Sequence, residues 1–143
     1  MSIKMRTLLP TLALTLAAAL SACSSMDKVM SPSLKLTGDQ EVPPVSTAAV
    51  GTGTITVASD GSVSGSVKTQ GIAGSMAHIH LGAAGKNGPV IVPLAKTADG
   101  VWSVPVGAKL KDDQLAAYKM GDLYVNVHSA EHKGGEIRAQ LKP

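Results

Sequence analysis

Leu123-Tyr124-Val125-Asn126-Val127-His128 and, after a Gly-Gly turn, Glu136-Ile137-Arg138-Ala139-Gln140-Leu141 alternate aliphatic and polar side chains with the period of two that a β-strand imposes. Leu123, Val125 and Val127 share one face with Ile137, Ala139 and Leu141 across a hairpin, and this aliphatic set predicts the core side. Tyr124, Asn126 and His128 take the other face. A turn over residues 132–135 sets His128 near Glu136, Asn126 near Arg138 and Tyr124 near Gln140. The same alternation in Met76-Ala77-His78-Ile79-His80-Leu81 sends Ala77, Ile79 and Leu81 inward and leaves Met76, His78 and His80 opposite.

Working outward, short β-rich runs at residues 34–36, 51–58, 62–69, 90–96 and 101–106 bring the total to about eight strands. Asp60-Gly61 and Asp99-Gly100 each suit a tight hairpin turn, since Gly tolerates positive φ and Asp is among the residues that can adopt it. One helical stretch, residues 111–120, opens on Asp112-Asp113 and closes at Gly121, as a crossover connection would. The fold class is therefore all-β, a Greek-key sandwich or barrel with one short crossover helix. With no Phe, one Trp and two Tyr, its core is built from Val, Ile, Leu, Ala and Met.

The first residues point to a compartment. Lys4 and Arg6 precede an apolar run over residues 8–20 that ends in Leu20-Ser21-Ala22-Cys23, the pattern of a bacterial lipoprotein signal. The run is too short to span a bilayer as a helix, which takes about 20 residues. Residues 1–22 read as a leader cleaved before Cys23, whose thiol and new amino group carry the lipids, so the protein is anchored to a membrane. Residues 23–33 read as a small, polar tether and residues 34–143 as one domain. Ser24 after the lipidated cysteine favours the outer membrane, on its periplasmic or its surface face. The formal net charge of +3 includes Lys4 and Arg6; of 13 Lys and Arg, 11 remain against 10 acidic residues once the leader is gone. Neither a basic stripe nor stacking aromatics are present, so nucleic acid is excluded as a partner.

Several blocks in fixed order are similar to the CHRD domain, named for the animal growth-factor antagonist chordin and found in secreted microbial proteins. They are Leu36-Thr37-Gly38-Asp39-Gln40-Glu41-Val42-Pro43-Pro44-Val45, Gly51-Thr52-Gly53, Ala77-His78-Ile79-His80-Leu81-Gly82, Gly88-Pro89-Val90-Ile91, residues 121–128 and residues 134–141. Ala139 departs from the pattern, which commonly has Gly after the Arg. The resemblance implies a β-sandwich or barrel likened to copper/zinc superoxide dismutase, an extracytoplasmic setting, and no established enzymatic activity.

His78, His80 and His128 are the candidate metal ligands. Three imidazole donors with an open fourth position suit copper or zinc, and they converge if the strand at residues 76–81 neighbours the C-terminal hairpin. Met76 would add soft sulfur for Cu(I), whereas Glu136 would ligate the ion or orient His128. Glu136 and Arg138 read as an ionic pair, and His132 as an exposed loop residue. Four histidines in all are too few for a two-metal dismutase site, and no nucleophile triad, phosphate loop or paired-carboxylate cleft stands out, so no enzymatic activity is expected. The expected function is a lipid-anchored envelope module binding copper or zinc. The alternative is an adhesion or structural lipoprotein that holds an envelope or extracellular protein, or a glycan, without metal.

Overall fold

A computed structural model describes residues 32–143. The leader, Cys23 and most of the tether expected from the sequence lie outside the described residues. Among the described residues, nine strands form two antiparallel sheets: β1 (Leu34–Leu36), β2 (Val50–Val57), β3 (Val63–Gln70), β7 (Val101–Ser103) and β6 (Ala95–Ala98) make the first, in the order β1-β2-β3-β7-β6. The second runs β5 (Val90–Pro93), β4 (Gly74–Leu81), β8 (Leu123–Ser129) and β9 (Ile137–Gln140). The all-β expectation holds. Among the described residues, no helix is long and apolar enough to cross a membrane.

Local chemistry explains the hairpin between β2 and β3. Gly61 N–H donates to Ala58 O at 2.9 Å, Gly61 alone takes positive φ (86°), and Asp60 instead accepts from Ser62 N–H at 2.9 Å through its carboxylate. This is a turn followed by a left-handed glycine. Asp60 therefore contributes an acceptor rather than an unusual backbone angle. Gly100 (φ 65°) turns β6 into β7 in the same register of residue types.

One expected strand divides. Residues 90–96 were expected to be continuous, yet β5 ends at Pro93 beside His78 and the chain then leaves the β4 edge for the other sheet, where β6 pairs with β7. Proline has no N–H to continue a ladder. Leu94, at the crossing, is buried in the core and donates its backbone N–H to Ala77 O at 2.9 Å. That split raises the strand count from the expected eight to nine.

The core lies between the sheets. Leu36, Ile55, Val67 and Trp102 from the first sheet meet Ala77, Ile79, Leu123, Val125, Val127, Ile137 and Ala139 from the second. The faces read from alternation are thus the faces that are buried. The helix α1 (Asp112–Lys119) links β7 to β8 across the sandwich, buries Ala117 and Tyr118, and closes at Gly121 (φ 81°). The sheets are also joined along one side, because Thr37 and Arg138 exchange both backbone hydrogen bonds, at 3.1 and 3.0 Å, and so tie the end of β1 to β9.

Ile79, fully buried between His78 and His80 on β4, couples this core to the opposite face. Ile79→Ala is expected to lower the unfolding free energy by about 2–5 kcal/mol, read from urea or guanidinium melts.

Candidate metal centre

β4 and β8 are neighbours, the adjacency that the sequence left open. Their register sets Met76 opposite His128, His78 opposite Asn126 and His80 opposite Tyr124. Because opposite side chains on one face of an antiparallel pair stand roughly 5 Å apart, the three histidines come together. One ring nitrogen from each lies within 4.8 Å of the others. His78 Nδ1 is 3.0 Å from His128 Nε2, and the His78 ring meets those of His80 and His128 edge to face, at 5.6 and 4.8 Å between centroids.

Two of the rings are oriented by backbone carbonyls. His80 Nδ1–H donates to Gly88 O at 2.9 Å, and His128 Nδ1–H donates to Lys133 O at 2.9 Å. A carbonyl only accepts, so each Nδ1 carries the proton and each neutral ring keeps its lone pair on Nε2. This is the outer-shell arrangement that fixes metal-binding imidazoles. His80 Nε2 is buried and has no hydrogen-bond partner. Ligands of one ion at about 2 Å each lie within about 4 Å of one another, so small ring movements bring the cluster onto an ion.

The histidine face points away from the aliphatic core, as the alternation predicts, but outside the rim at Met76 and His78 it is closed to solvent. Every residue of β8 is buried, and Tyr124, Asn126, His128, Glu136 and Arg138 form a second, polar interior beneath the loops at residues 41–49, 82–89 and 130–135. His80 stacks on Tyr124 with centroids 4.7 Å apart and planes 2° from parallel, and the Arg138 guanidinium lies 3.4 Å from the Tyr124 centroid. Tyr124 Oη accepts from Gly88 N–H at 3.2 Å. Gly88 thus contacts His80 and its stacking partner at once.

Arg138 does not pair with Glu136, contrary to the expected ionic pair. Its Nη2 donates to Ala83 O, Lys86 O and Gln140 Oε1, and its Nη1 to Asn87 Oδ1, at 2.9 to 3.3 Å. Planar donors in a fork suit a loop that presents several carbonyls. Glu136 instead accepts from Thr47 Oγ1 at 2.7 Å, and the orienting role toward His128 falls to Lys133 O. Met76 sits opposite His128 at the rim, half exposed. His132 stays in the loop, its backbone N–H bonded to Ser129 Oγ.

Two buried residues were given no role from the sequence. Glu41, in the turn after the 3₁₀ segment Gly38–Gln40, is only 3% exposed; burial pushes its carboxyl above the usual range, against the pull of the Asn126 amide and the Arg138 charge. Asn126 is 1% exposed and lies beside it. Gly135 (φ 125°) makes room for both, since a Cβ there would run into the Glu41 carboxylate and the Asn126 amide. The visible signal was Asn126 itself, a residue type depleted in strands, standing mid-strand among β formers. A cleft of about 440 Å³ opens on the far side of Glu41 and Arg138, and none of the three histidines lines it.

Burial, followed by the charges of neighbouring histidines, holds His78 below its ordinary 6.5, and burial likewise holds His80 below it. The unfolded chain therefore binds protons before the folded one as pH falls. Stability contributed by these rings is complete above the ordinary value and is lost as pH drops through 6.5 toward the lowered folded-state values. Thermal melts of the metal-free protein should show Tm falling over that window, with a flatter profile in His78→Gln.

Residues 33–141 match the CHRD domain family. No curated protein and no solved structure matches the chain. The match spans both sheets and carries the strands that bear all three histidines, so this chain belongs to the CHRD domain family.

Proposed function

We propose that this protein is a lipid-anchored module of the cell envelope, at the outer membrane, that holds one copper or zinc ion through His78, His80 and His128. The observation that carries the metal reading is the pair of Nδ1–H groups given to Gly88 O and Lys133 O, which turns the Nε2 lone pairs of His80 and His128 into one cluster, where His128 Nε2 accepts from His78 Nδ1–H at 3.0 Å and His80 Nε2 has no partner. Lone pairs gathered in a buried site repel one another unless a cation or proton sits among them. Three imidazoles with a fourth position free are a donor set that zinc and copper both accept.

The geometry also limits the chemistry. The residues around the cluster are held by backbone carbonyls and stacking, and the open cleft lies elsewhere, so holding, sensing or passing an ion fits better than turning over an organic substrate. Partly buried His78 lies between the rim and buried His80 and His128, on the route by which an ion reaches them. The anchor rests on the Leu20-Ser21-Ala22-Cys23 pattern alone.

Protein freed of metal by chelation should take up one equivalent of Zn(II) or Cu(II). His80→Ala and His128→Ala should each weaken binding by at least about 100-fold, and affinity in the parent should fall as pH drops below 6.5 into the lowered range of His78 and His80, because protons compete for the same nitrogens. Isothermal titration against a competing chelator reads both effects, and affinity indifferent to the histidines would rule out the site. For the anchor, Cys23→Ser should move the protein from the membrane fraction to the soluble fraction of a bacterial host and abolish labelling by radioactive palmitate.

A further inference from the structure

Asn126 occupies the floor of the histidine cluster. It stands directly opposite His78 on the neighbouring strand and between Tyr124 and His128 on its own. At 1% exposure it is shut off from bulk solvent, and its Oδ1 has no hydrogen-bond partner among the protein atoms. The amide lies against the His80 ring, where it favours the protonated form, and in the neutral ring Nε2 is likewise without a partner.

The two unpartnered atoms share a sign. His80 gives its Nδ1–H to Gly88 O, so Nε2 is an acceptor; an amide oxygen is an acceptor as well. The orientation of the amide follows from what lies behind it. Its Nδ2 is directed to Gly134 O at 3.5 Å, and the Glu41 carboxylate is beside the same amide. Both groups accept only, so nitrogen belongs on their side and oxygen on the histidine side. A buried acceptor left unmatched is costly, and two facing each other are satisfied together by a metal ion or by a proton on His80 Nε2.

We propose that Asn126 Oδ1 is the fourth ligand of the ion held by His78, His80 and His128, so that the site presents three nitrogens and one oxygen and takes a divalent ion, Zn(II) or Cu(II), in preference to Cu(I). This inference rests on the metal reading above. A hard amide oxygen suits divalent zinc and copper, whereas Cu(I) favours soft sulfur; the only sulfur beside the cluster among the described residues belongs to Met76, half exposed at the rim. The Glu41 carboxylate, at 3% exposure, lies beside the amide nitrogen, and Gly135 leaves the space for both.

The test uses the full chain, purified in detergent, stripped by chelation and titrated with Zn(II), Cu(II) and, anaerobically, Cu(I). Asn126→Asp keeps the shape and supplies an anionic oxygen, so Zn(II) binding should tighten by about 10-fold or more, while Asn126→Ala should weaken it by a similar factor. Met76→Leu should leave both divalent affinities unchanged. If Asn126→Ala fails to fold, as circular dichroism would show, the Cu(II) electron paramagnetic resonance spectrum of Asn126→Asp decides: altered g and hyperfine values support an oxygen ligand at this position, and a spectrum identical to the parent's overturns it. Divalent binding that depends on the histidines but is untouched by either Asn126 substitution, or that is lost in Met76→Leu, overturns the fourth-ligand assignment and leaves the metal reading standing. A parent chain that binds none of the three ions overturns both.

Discussion

The outer face of the second sheet depends on the Arg138 guanidinium. At 1% exposure it has surrendered its water, and it recovers those hydrogen bonds from carbonyls of the loop at residues 82–89 and from Asn87 and Gln140. The loop has one turn of its own, closed by Lys86 N–H on Ala83 O at 3.0 Å, and this fork holds that turn against the sheet. Asn87 then reaches Val42 O at 2.7 Å, which fastens the loop to the segment carrying Glu41. Gly88, at the end of the loop, orients His80 and Tyr124. One buried cation thus sets the position of the carbonyl that decides which His80 nitrogen is free.

This arrangement separates the tasks of the two interiors. The aliphatic layer between the sheets supplies most of the burial that drives folding, with non-directional contacts that tolerate modest change. The polar layer outside β8 supplies little hydrophobic burial and many directional bonds, so it fixes orientation. A site whose ligands must sit within tenths of an ångström needs the second kind of support. The two layers share one strand, β8, whose Val125 and Val127 face the first and whose Asn126 and His128 face the second.

Much of this was legible in the residues. Alternation in the strands around His80 and His128 identified the core face and grouped the three histidines, because side-chain period is a local property of an extended chain. The register of the last hairpin followed from its turn, and Tyr124 does pair with Gln140 and Asn126 with Arg138. Burial of the polar face was not legible. It arises from contacts such as Thr47 with Glu136 and Arg138 with Ala83, between residues distant in sequence that no periodicity relates. Glu136 and Arg138 share a face and invite pairing, but a forked donor beside several carbonyls has a better set of partners. The crossing at Leu94 was hidden for a simpler reason: Pro93 marks where the β-rich run can break, but not which sheet each half joins.

The double backbone bond between Thr37 and Arg138 has a mechanical consequence. β1 begins at Leu34, so a pull on the chain that precedes Leu34 is delivered along β1. That strand is bonded to β2 along its length and, through Thr37, to β9 on the other sheet. Interstrand hydrogen bonds lie across the strand direction, so a force along β1 loads them in shear and together rather than opening them one at a time. The load is shared by both sheets, and Arg138 takes it through its backbone while its side chain holds the loop over the histidines.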